Sequence, residues 1–529
     1  MKKIGHLLIA LFLTFSALAS GAKKQPNILF IFTDDHALSA ISAYEGRYAK
    51  IAPTPNIDRI AKEGAIFRNS FCANSLCGPS RACILTGKHS HINGFLSNSG
   101  KPLDQSQWTV SKALKKSGYS TAIIGKWHLE SHPQGFDYID IYNGQGEYYN
   151  PVFIGTDRSK KKVHGYSTDI VTEKAIAWLD RRDKTKPFFL MCQHKAPHRN
   201  WAPALRHLDA FNGVHIPEPE TLFDDYSNRS SALKRNKMEI DRHFSWSYDL
   251  RLRKDEVKGV KLPGNFHYGP KQYKRMDAAQ RKAWNAHFGP LNKQFIKEFK
   301  AGKYKNHKDL VRWRYQRFLR MYLATVKGVD ESVGTLLKYL DDHGLAENTV
   351  VIYSSDQGFY LGEHGWFDKR WMFETSLKMP FLIRWPGVIK PGSKPDAMIQ
   401  NIDYAPTFME IAGGTVPPEV QGKSIVPILK DPTKEIRKSL YYAYYENGGH
   451  GVPRHSGVRT KRYKLFYLPN TQEWQMFDLV KDPQEMKNIF NNPEYAPIKK
   501  KLMAEDERLK KLYKVPEHKK HAKGKKRKH

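Results

Sequence analysis

Residues 27–35 have the sequence Asn-Ile-Leu-Phe-Ile-Phe-Thr-Asp-Asp, an apolar run followed directly by two carboxylates. The apolar residues are continuous rather than alternating with polar ones, which is typical of a strand buried on both faces of a parallel sheet. In open parallel sheets, ligands bind beyond the carboxyl ends of the strands. We therefore expect a central strand here, with Asp34 and Asp35 at a functional site.

Four further apolar runs of this kind stand alone between polar or turn residues: 121–125, 188–192, 349–353 and 381–385. Helical patterns separate them, the clearest of which covers 310–342 and ends at Gly344. Strands that alternate with helices predict an α/β doubly wound fold, in which helices cover both faces of a large sheet.

A second compositional unit covers residues 435–515. Its short runs at 440–445, 457–459, 463–467 and 475–478 indicate antiparallel strands, and 496–512 indicates a closing helix. We expect a small C-terminal α+β subdomain after a larger domain at 23–434. Within the larger domain, residues 229–308 are polar, basic and rich in aromatic side chains, and we interpret them as an insertion over the active face.

The N-terminus is typical of an exported protein. Residues 1–22 contain a basic start, an apolar run and small residues suited to cleavage, so they predict a signal peptide. The apolar run is shorter than the roughly 20 residues that a membrane-spanning helix needs, and no second long run follows. We expect a periplasmic or secreted protein with no membrane span.

The charge balance predicts a polyanionic partner. The 529 residues have a formal net charge of +34, and residues 229–320 contain 25 Lys and Arg against 8 Asp and Glu. Residues 516–529 form a basic tail that we expect to be disordered. An exported protein rarely meets nucleic acid, so we expect a sulfated or carboxylated polysaccharide instead. A solvated tail without a partner is the alternative.

Polar clusters follow four of the predicted strands. They are Asp34-Asp35, Lys126-Trp127-His128, His194-Lys195-Ala196-Pro197-His198 and Asp356-Gln357. Three carboxylates and an amide oxygen form an oxygen-rich site suited to Ca²⁺ or Mg²⁺ rather than zinc. For Asp35 alone, a helix N-cap is an equally good explanation.

Residues 77–87 have the sequence Cys-Gly-Pro-Ser-Arg-Ala-Cys-Ile-Leu-Thr-Gly. This stretch resembles the signature of the type I sulfatase family, which has an alkaline-phosphatase-like fold and in which Cys-x-Pro-Ser-Arg directs oxidation of the cysteine to formylglycine. The resemblance extends over about 26–490 and includes 55–58, 125–128, 362–365 with Asp368-Lys369, and 403–407. The alternative is a loop and helix with a buried free thiol at Cys77.

The resemblance implies a role for each matching residue. The metal ligands would be Asp34, Asp35, Asp356, Gln357 and the modified Cys77. Arg81 and Lys126 would hold formylglycine and sulfate oxygens, His128 would orient residue 77, Lys369 would bind sulfate, and His198 would face the leaving-group oxygen. Many relatives have Asn or His where this chain has Gln357, which supplies a similar carbonyl oxygen. His194 does not match and is expected to be structural.

The resemblance also implies the chemistry. One Ca²⁺ is expected, with Mg²⁺ less favoured, and a maturation enzyme would generate the formylglycine. Its hydrate has two geminal hydroxyls, of which one attacks sulfur and the other then expels sulfate, a step that serine cannot perform. The protein would then be a sulfuric ester hydrolase.

Residues 193–201 and 144–151 look like the N-acetylglucosamine-6-sulfatase branch of this family. The expected substrate is therefore a 6-O-sulfated N-acetylglucosamine at the end of a heparan-, keratan- or mucin-type glycan. Other sulfated polysaccharides, such as ulvan, carrageenan or fucoidan, are the alternative. Candidate substrate contacts are Asn200, Trp201, Glu363, His364, Arg454 and His455, although Trp201 suits the core and Arg454 a solvated turn equally well.

Two other classes of function compete with this hypothesis. A phosphodiesterase or phosphonate-ester hydrolase of the same fold would bind two zinc ions, for which Gln357 is a poor ligand and Cys77 an unusual nucleophile. A non-catalytic binder of sulfated glycans would leave Cys77 unoxidised. The sequence leaves endo or exo action and the oligomeric state open.

Overall fold

The computed structural model describes residues 25–98 and 101–516. The expected signal peptide, 1–22, and residues 517–529 of the expected tail lie outside the described residues. Within the described ranges, no helix combines the length and the apolar character needed to cross a bilayer.

The strands of the described residues are, in chain order, β1 Asn27–Thr33, β2 Ala65–Ile66, β3 Ser70–Phe71, β4 Ser120–Gly125, β5 Tyr138–Tyr142, β6 Val152–Gly155, β7 Lys160–Lys162, β8 Phe188–Gln193, β9 Thr349–Ser355, β10 Tyr360–Leu361, β11 Phe367–Asp368, β12 Phe381–Arg384, β13 Ile399–Gln400, β14 Ser439–Tyr444, β15 His455–Thr460, β16 Tyr463–Leu468 and β17 Glu473–Asp478.

The α-helices are α1 Pro55–Lys62, α2 Cys77–Thr86, α3 Ser90–Asn93, α4 Val110–Lys116, α5 Ser167–Arg181, α6 Lys271–Arg275, α7 Ala278–Lys300, α8 His307–Asp342, α9 Glu374–Leu377, α10 Tyr404–Ile411, α11 Val426–Lys430 and α12 Ala496–Leu512.

The main sheet has nine strands in the order β2-β12-β9-β1-β8-β4-β5-β6-β7. Its centre, β9-β1-β8-β4-β5, is parallel, whereas β12, β6 and the two edge strands pair antiparallel with their neighbours. All five predicted strands are confirmed, and the antiparallel pairing of β12 helps to make the sheet mixed. Continuous hydrophobicity shows that both faces of a strand are buried and carries no information about its direction.

Alternate residues of β1 belong to two separate hydrophobic cores. Leu29 and Ile31 pack in a core with α1, α5 and α8 on one face of the sheet. Ile28, Phe30 and Phe32 pack in a core with α2, α4 and α10 on the other. Successive strand side chains point to opposite faces, so a fully apolar strand requires helices on both sides. The predicted sandwich is confirmed.

The C-terminal unit is a four-stranded antiparallel sheet, β14-β15-β16-β17, as the sequence predicts. One of its faces packs against α12 through Leu502 and Leu509. The other face contributes Leu440, Tyr442 and Phe466 to the core that contains Ile28, Phe30 and Phe32 of β1. The small sheet is thus joined to the main domain by continuous apolar packing.

The basic insertion packs far more closely than its charge suggests. Trp246, Trp284 and Phe295 are buried in the same core as α8, although the segment around them is rich in Lys and Arg. The aromatic residues therefore bury one side of the insertion, and some of its basic residues are buried with them, such as Arg251 and Arg229, which pairs with Asp224.

Candidate active site

The carboxyl ends of β1, β4 and β9 meet at one edge of the sheet. Asp34 and Asp35 follow β1, Lys126 follows β4, and Asp356 and Gln357 follow β9. The Lys126 ammonium contacts the Asp34 carboxylate, and the backbone N–H of Asp35 donates to Asp356 Oδ1 over 3.1 Å. The predicted convergence of polar strand ends is confirmed.

The three carboxylates form a compact, buried group. Asp34, Asp35 and Asp356 have no exposed surface, and each offers an oxygen within 4.8 Å of the others. Burial, more than any neighbouring charge, raises the pKa of Asp35 to about 7, and Asp356 adds to this while Lys369 opposes it. Burying three carboxylates close together costs free energy unless nearby positive charge offsets their negative charge.

The donor set fits a calcium ion. Asp34 Oδ1 and Gln357 Oε1 are buried acceptor oxygens with no hydrogen-bond partner among the described residues. Carboxylate and amide oxygens are the ligands that Ca²⁺ prefers, and a cation among them would satisfy both orphaned atoms.

Cys77 lies beside these carboxylates at the first turn of α2. Its Sγ, an Asp34 carboxylate oxygen and a ring nitrogen of His198 lie within 4.8 Å of one another. Burial raises the pKa of the Cys77 thiol to about 12, although the charge of Lys369 opposes this effect. Because the thiolate is the reactive form of cysteine, an unmodified Cys77 is a poor nucleophile here.

The residues after Cys77 fix α2 against the carboxylates. A Cβ on Gly78 would lie 2.5 Å from Cε1 of Phe95 and 2.9 Å from Oδ1 of Asn98, so only glycine fits. The Ser80 hydroxyl donates to the backbone carbonyl of Asp356 and accepts from Nδ2 of Asn401 over 2.7 Å.

Arg81 links α2 to three strand ends. Its guanidinium donates to Oδ2 of Asp356 over 3.2 and 3.3 Å, to the backbone carbonyl of Lys126 over 3.0 Å and to Oε1 of Gln193 over 2.5 Å. A planar guanidinium held by several acceptors cannot easily reorient, so its charge is fixed beside residue 77.

Two further cations approach the carboxylates. Lys369 Nζ lies 2.6 and 2.7 Å from the two carboxylate oxygens of Asp35. Lys195 is buried nearby, and burial lowers its pKa to about 8. Together with Lys126 and Arg81, they concentrate positive charge in a small buried volume, which is the environment that a sulfate group requires.

His198 faces the carboxylates with one ring nitrogen. Its Nδ1 contacts the backbone carbonyl of Arg199 and therefore carries a proton, which leaves Nε2 directed into the site, 3.6 Å from Oδ2 of Asp35. Burial, followed by the charges of Lys126 and Lys369, lowers the pKa of His198 well below its usual value. An anionic ligand beside the ring would offset those charges.

The other two histidines of these clusters differ in their surroundings. His128 is nearly buried, and its Nδ1 has no partner among the described residues. His194 is fully buried and contacts the Ser332 hydroxyl over 3.1 Å, away from Cys77. His194 is thus structural, as the sequence predicts.

Cys77 opens into a cavity of about 200 Å³. Its other lining residues are Asn98, Gln145, His198, Arg199, Tyr248, Tyr268, Asp368, Lys369, Arg370 and His450. Tyr248 and Tyr268 belong to the basic segment at 229–308, and His450 belongs to the C-terminal unit. The cavity is built from segments scattered over the whole chain.

Eight of these lining residues were absent from our sequence-based candidates: Asn98, Gln145, Arg199, Tyr248, Tyr268, Asp368, Arg370 and His450. Arg199 and the pair Asp368 and Arg370 adjoin predicted site residues, so adjacency is a signal that could have found them. Asn98, Tyr248, Tyr268 and His450 have no motif or spacing that marks them.

Arg199 connects the insertion to the cavity. It forms a two-point ion pair with Asp249 at 2.8 and 2.7 Å, and its guanidinium lies over the rings of Phe367 and Tyr248. This pairing holds Tyr248 in place at the cavity wall.

Three candidate substrate contacts of the main domain do not line the cavity at Cys77. Trp201 is fully buried against Phe318 and other core aromatics. Asn200 is buried and hydrogen-bonds to the backbone of Tyr248, so it positions the wall rather than lining the cavity. Glu363 pairs with Arg47 and borders a different cavity.

The other three candidates are also displaced from Cys77. His364 is buried and pairs with Asp224 over 2.8 Å. His455 is buried, with Nδ1 donating to the carbonyl of Pro453 and Nε2 accepting from the N–H of Met372. Arg454 lines a separate cavity. A basic loop before a strand does not reveal which side of the sheet its side chains occupy.

Comparison with known proteins identifies close relatives. A family model described as "Sulfatase" matches residues 26–414, and one described as "N-sulphoglucosamine sulphohydrolase, C-terminal" matches residues 362–513. The chain is 47% identical to an N-acetylglucosamine-6-O-sulfatase of Bacteroides thetaiotaomicron, over 93% of this chain and 87% of that protein. It is 26% identical to the human N-acetylglucosamine-6-sulfatase, over 82% of this chain and 69% of that protein.

A solved structure shows the same fold with a ligand. It is of a protein in complex with its substrate, D-glucosamine-2-N,6-O-disulfate, and it superposes with a TM-score of 0.87 at 46% identity. The match covers 93% of this chain and 98% of that one.

Proposed function

This chain belongs to the sulfatase family and is a sulfuric ester hydrolase, and on that premise we propose that it removes the 6-O-sulfate of N-acetylglucosamine at the end of a sulfated glycan. The observation that carries the proposal is a pair of side-chain groups that share the Asp34 carboxylate: Cys77 and His198 meet it on one side, and the Asp35 and Asp356 carboxylates meet it on the other. The activity of the 47% identical relative supports the choice of sugar.

The proposal includes oxidation of Cys77 to formylglycine by a maturation enzyme. The high pKa of the buried thiol supports it, because an unmodified cysteine would be largely protonated at neutral pH. The hydrated aldehyde would supply a hydroxyl nucleophile and a second hydroxyl for release of sulfate. Peptide mass spectrometry of the protein from its natural host should find residue 77 about eighteen mass units lighter than cysteine, of which about sixteen come from exchange of sulfur for oxygen and about two from loss of two hydrogens, as expected for an oxoalanine residue.

Asp34, Asp35, Asp356, Gln357 and the oxidised residue 77 would hold one Ca²⁺. When bound, the cation would act as a Lewis acid that lowers the pKa of a hydroxyl and offsets charge on sulfate. Gln357 supports calcium over zinc because an amide oxygen is a hard ligand. Elemental analysis should find one calcium per chain, and two zinc ions would instead support a phosphoryl-transfer hydrolase.

The basic residues would neutralise the sulfate oxygens in the transition state. Arg81 is held rigidly by Asp356, and Lys126 and Lys369 are each paired with a carboxylate beside residue 77. Charges that are already in place cost little reorganisation during the reaction, which is the basis of electrostatic catalysis.

His198 would give a proton to the departing sugar oxygen. Its Nδ1 is held by the Arg199 carbonyl, so Nε2 is the nitrogen that can donate into the cavity. A sulfate ester in the cavity would offset the Lys126 and Lys369 charges that otherwise keep the ring neutral.

The cavity suits one sugar residue. Asp368 and Arg370 present charged groups able to hydrogen-bond to hydroxyls, and Tyr248 and Tyr268 present aromatic faces, which pack well on pyranose rings.

The deciding experiment is turnover by protein whose residue 77 is confirmed as oxidised. We expect 6-sulfated N-acetylglucosamine to be hydrolysed with kcat/KM at least about a hundredfold above its 3-sulfated isomer and above 2- or 4-sulfated sugars. Equal turnover at every position would disprove the 6-O-specificity. Activity confined to fragments of ulvan, carrageenan or fucoidan would assign the enzyme to another polysaccharide.

Export of the protein is also part of the proposal and rests on residues 1–22. Expression of the full chain in a Gram-negative host, followed by osmotic release and N-terminal sequencing, should recover a mature protein that begins near residue 23. Recovery of uncleaved protein from the cytoplasm alone would contradict it.

A further inference from the structure

A second cavity, of about 350 Å³, lies between residues 91–96 of the main domain and the C-terminal sheet. Four of its lining residues are tyrosines: Tyr441, Tyr444, Tyr445 and Tyr467. We call it the tyrosine groove. Tyr445 and Tyr467 are partly exposed at the groove, whereas Tyr441 and Tyr444 are almost wholly buried and belong to the adjoining cores. Partly exposed aromatic side chains in a cavity are typical of surfaces that bind the apolar faces of ligands.

The tyrosine groove is separate from the catalytic cavity but shares a wall with it. No residue lines both cavities. Tyr444 lines the groove, and its hydroxyl lies 3.2 Å from Nη1 of Arg370, which lines the catalytic cavity. A glycan held in one cavity therefore lies within a few residues of the other.

Arg454 gives the groove an unpaired positive charge. It has no hydrogen bond or ion pair with any described residue, and its Nε is buried without a partner. The other buried arginines of this region are paired, Arg459 with Glu374 and Arg437 with Asp403. None of the groove's lining residues is an Asp or Glu. A partly buried guanidinium without a partner is a binding group for an anion.

Both histidines of the groove have their ring nitrogens hydrogen-bonded within the protein. His91 Nε2 donates to the carbonyl of Tyr513 over 2.8 Å, so its Nδ1 accepts from the Tyr445 hydroxyl over 3.0 Å. His455 also has both ring nitrogens bonded. They form a neutral wall that holds the tyrosines, and Arg454 is left as the group that is free to bind.

From these features we propose that the tyrosine groove binds a second sugar unit that carries a sulfate or carboxylate. The aromatic faces would pack on the pyranose ring, and Arg454 would pair with the anionic group. The inference rests on the proposed function only in that the substrate is a sulfated glycan. The groove would hold the polymer while the neighbouring cavity removes a terminal sulfate.

The C-terminal tail is a poorer occupant of the groove. Val515 and Pro516 line the groove, and the sequence that follows, 518–529, has seven basic residues and no acidic one. Arg454 would repel a basic segment. An anionic saccharide would instead be attracted both by Arg454 and by the basic tail.

The test uses a heparin octasaccharide whose 6-sulfates have been removed, so that it is not a substrate for the proposed reaction. Arg454→Gln should weaken its binding about tenfold, because a charge-assisted pair is lost. Lys500→Gln, which removes the same charge from the exposed face of α12, should change binding less than about twofold. Both variants should turn over 6-sulfated N-acetylglucosamine as the unaltered protein does. Arg454→Lys, which keeps the charge, should bind with intermediate affinity.

Three results would overturn the proposal. One is unaltered binding of the octasaccharide by Arg454→Gln, and another is an equal loss of monosaccharide turnover, which would place Arg454 in the catalytic cavity. The third is tighter binding after deletion of 517–529, which would make the tail the occupant. Failure of the proposed 6-O-specificity would appear separately, as equal turnover by the unaltered protein of monosaccharides sulfated at different positions.

Discussion

Asp35 is a buried carboxylate whose surroundings disfavour its negative charge. It has no exposed surface, it lies beside Asp34 and Asp356, and its backbone has a φ of 66°. Such backbone angles are costly for a residue with a side chain and persist where the surroundings enforce them. The Lys369 ammonium compensates only part of the charge, and a divalent cation would compensate the rest.

Calcium should therefore stabilise the protein. After removal of metals by a chelator, addition of calcium at about a hundred times its Kd should add about 2.7 kcal/mol of stability and raise the Tm measured by calorimetry. Asp356→Asn should abolish the shift, whereas Asp342→Asn, at the exposed end of α8, should retain it. An equal shift in both variants would mean that calcium binds elsewhere.

The contribution of His198 should depend on the leaving group. His198→Ala should lower kcat for a 6-sulfated sugar by about 10² to 10⁴, because an alkoxide needs a proton in order to depart. With a nitrophenyl sulfate, whose leaving group is a weak base, the loss should be less than about tenfold. Steady-state kinetics on both substrates measures the ratio, and an equal loss on both would assign His198 to binding rather than to proton transfer.

At the scale of elements, the first turn of α2 has almost no freedom. Gly78 N donates to Oδ1 of Asn98 over 3.0 Å, and its Cα hydrogens face Phe95. Two segments around it contain residues with positive φ, His128 at 57° in one and Asp368 at 81° and Arg370 at 96° in the other. The helix start and the loops are thus held in a conformation that local preferences alone would not select.

Gly78→Ala should consequently displace the start of α2. The added methyl group meets Phe95 at 2.5 Å, so we expect a loss of about 1 to 3 kcal/mol of stability and a clear fall in kcat/KM. Gly289→Ala is the matched control, since it lies in α7 with nothing within 4 Å of the new atom and should be neutral or slightly stabilising. Thermal unfolding and kinetics of both variants provide the comparison, and similar behaviour of the two would contradict the steric argument.

A second element-scale contact joins the segment before the insertion to the loop after β10. Asp224 accepts from Nδ1 of His364 over 2.8 Å and from the guanidinium of Arg229. Burial alone would raise the pKa of Asp224, but these two hydrogen bonds outweigh it and hold the pKa well below its usual range. A carboxyl group with a depressed folded-state pKa stabilises the fold above its unfolded pKa, and this stability is lost as the pH falls.

Asp224→Asn should lower the Tm at about pH 7, and its difference from the unaltered protein should shrink below about pH 4, where the unfolded carboxyl group becomes protonated. The hydrogen bonds involve charged groups, so we expect about 1.5 to 3 kcal/mol at neutral pH. Asp225→Asn, at the exposed neighbouring position, should change the Tm little. A difference that stays constant between about pH 7 and about pH 3 would rule out ionisation of Asp224 as its cause.

At the scale of the whole molecule, the basic residues responsible for the net charge of +34 have different roles in different places. Buried cations such as Arg81 and Lys126 belong to the active site, and paired ones such as Arg199 hold the insertion in place. The tail at 518–529 adds seven basic residues.

Deletion of 517–529 should weaken retention on a sulfated polysaccharide column without changing turnover of a monosaccharide. The deletion removes seven basic residues and one acidic one, so the salt concentration needed for elution should fall. A variant in which the same seven residues are replaced by Gln should elute like the deletion. Retention that is independent of the tail would assign polyanion binding to the folded part of the molecule.

Much of the architecture follows from the sequence by local rules. The run at 27–33 is a strand with the predicted bounds, and the closing helix at 496–512 also has its predicted bounds. Continuous apolar residues, helical periodicity and glycine stops act over a few neighbours, so they can be interpreted one segment at a time. The direction of β12 could not be interpreted in this way, because it depends on the path of the connecting chain.

For the active site, the sequence by itself determined the nucleophile position, the carboxylates and the basic residues, since each follows a strand end or a short motif. Only the tertiary structure decided that Trp201 packs in the core, that Tyr248, Tyr268 and His450 meet at the cavity, and that Arg454 lies in a groove of its own. The physical reason is that these residues contact partners far away in the chain, and such contacts are selected by the packing of whole layers rather than by any local pattern.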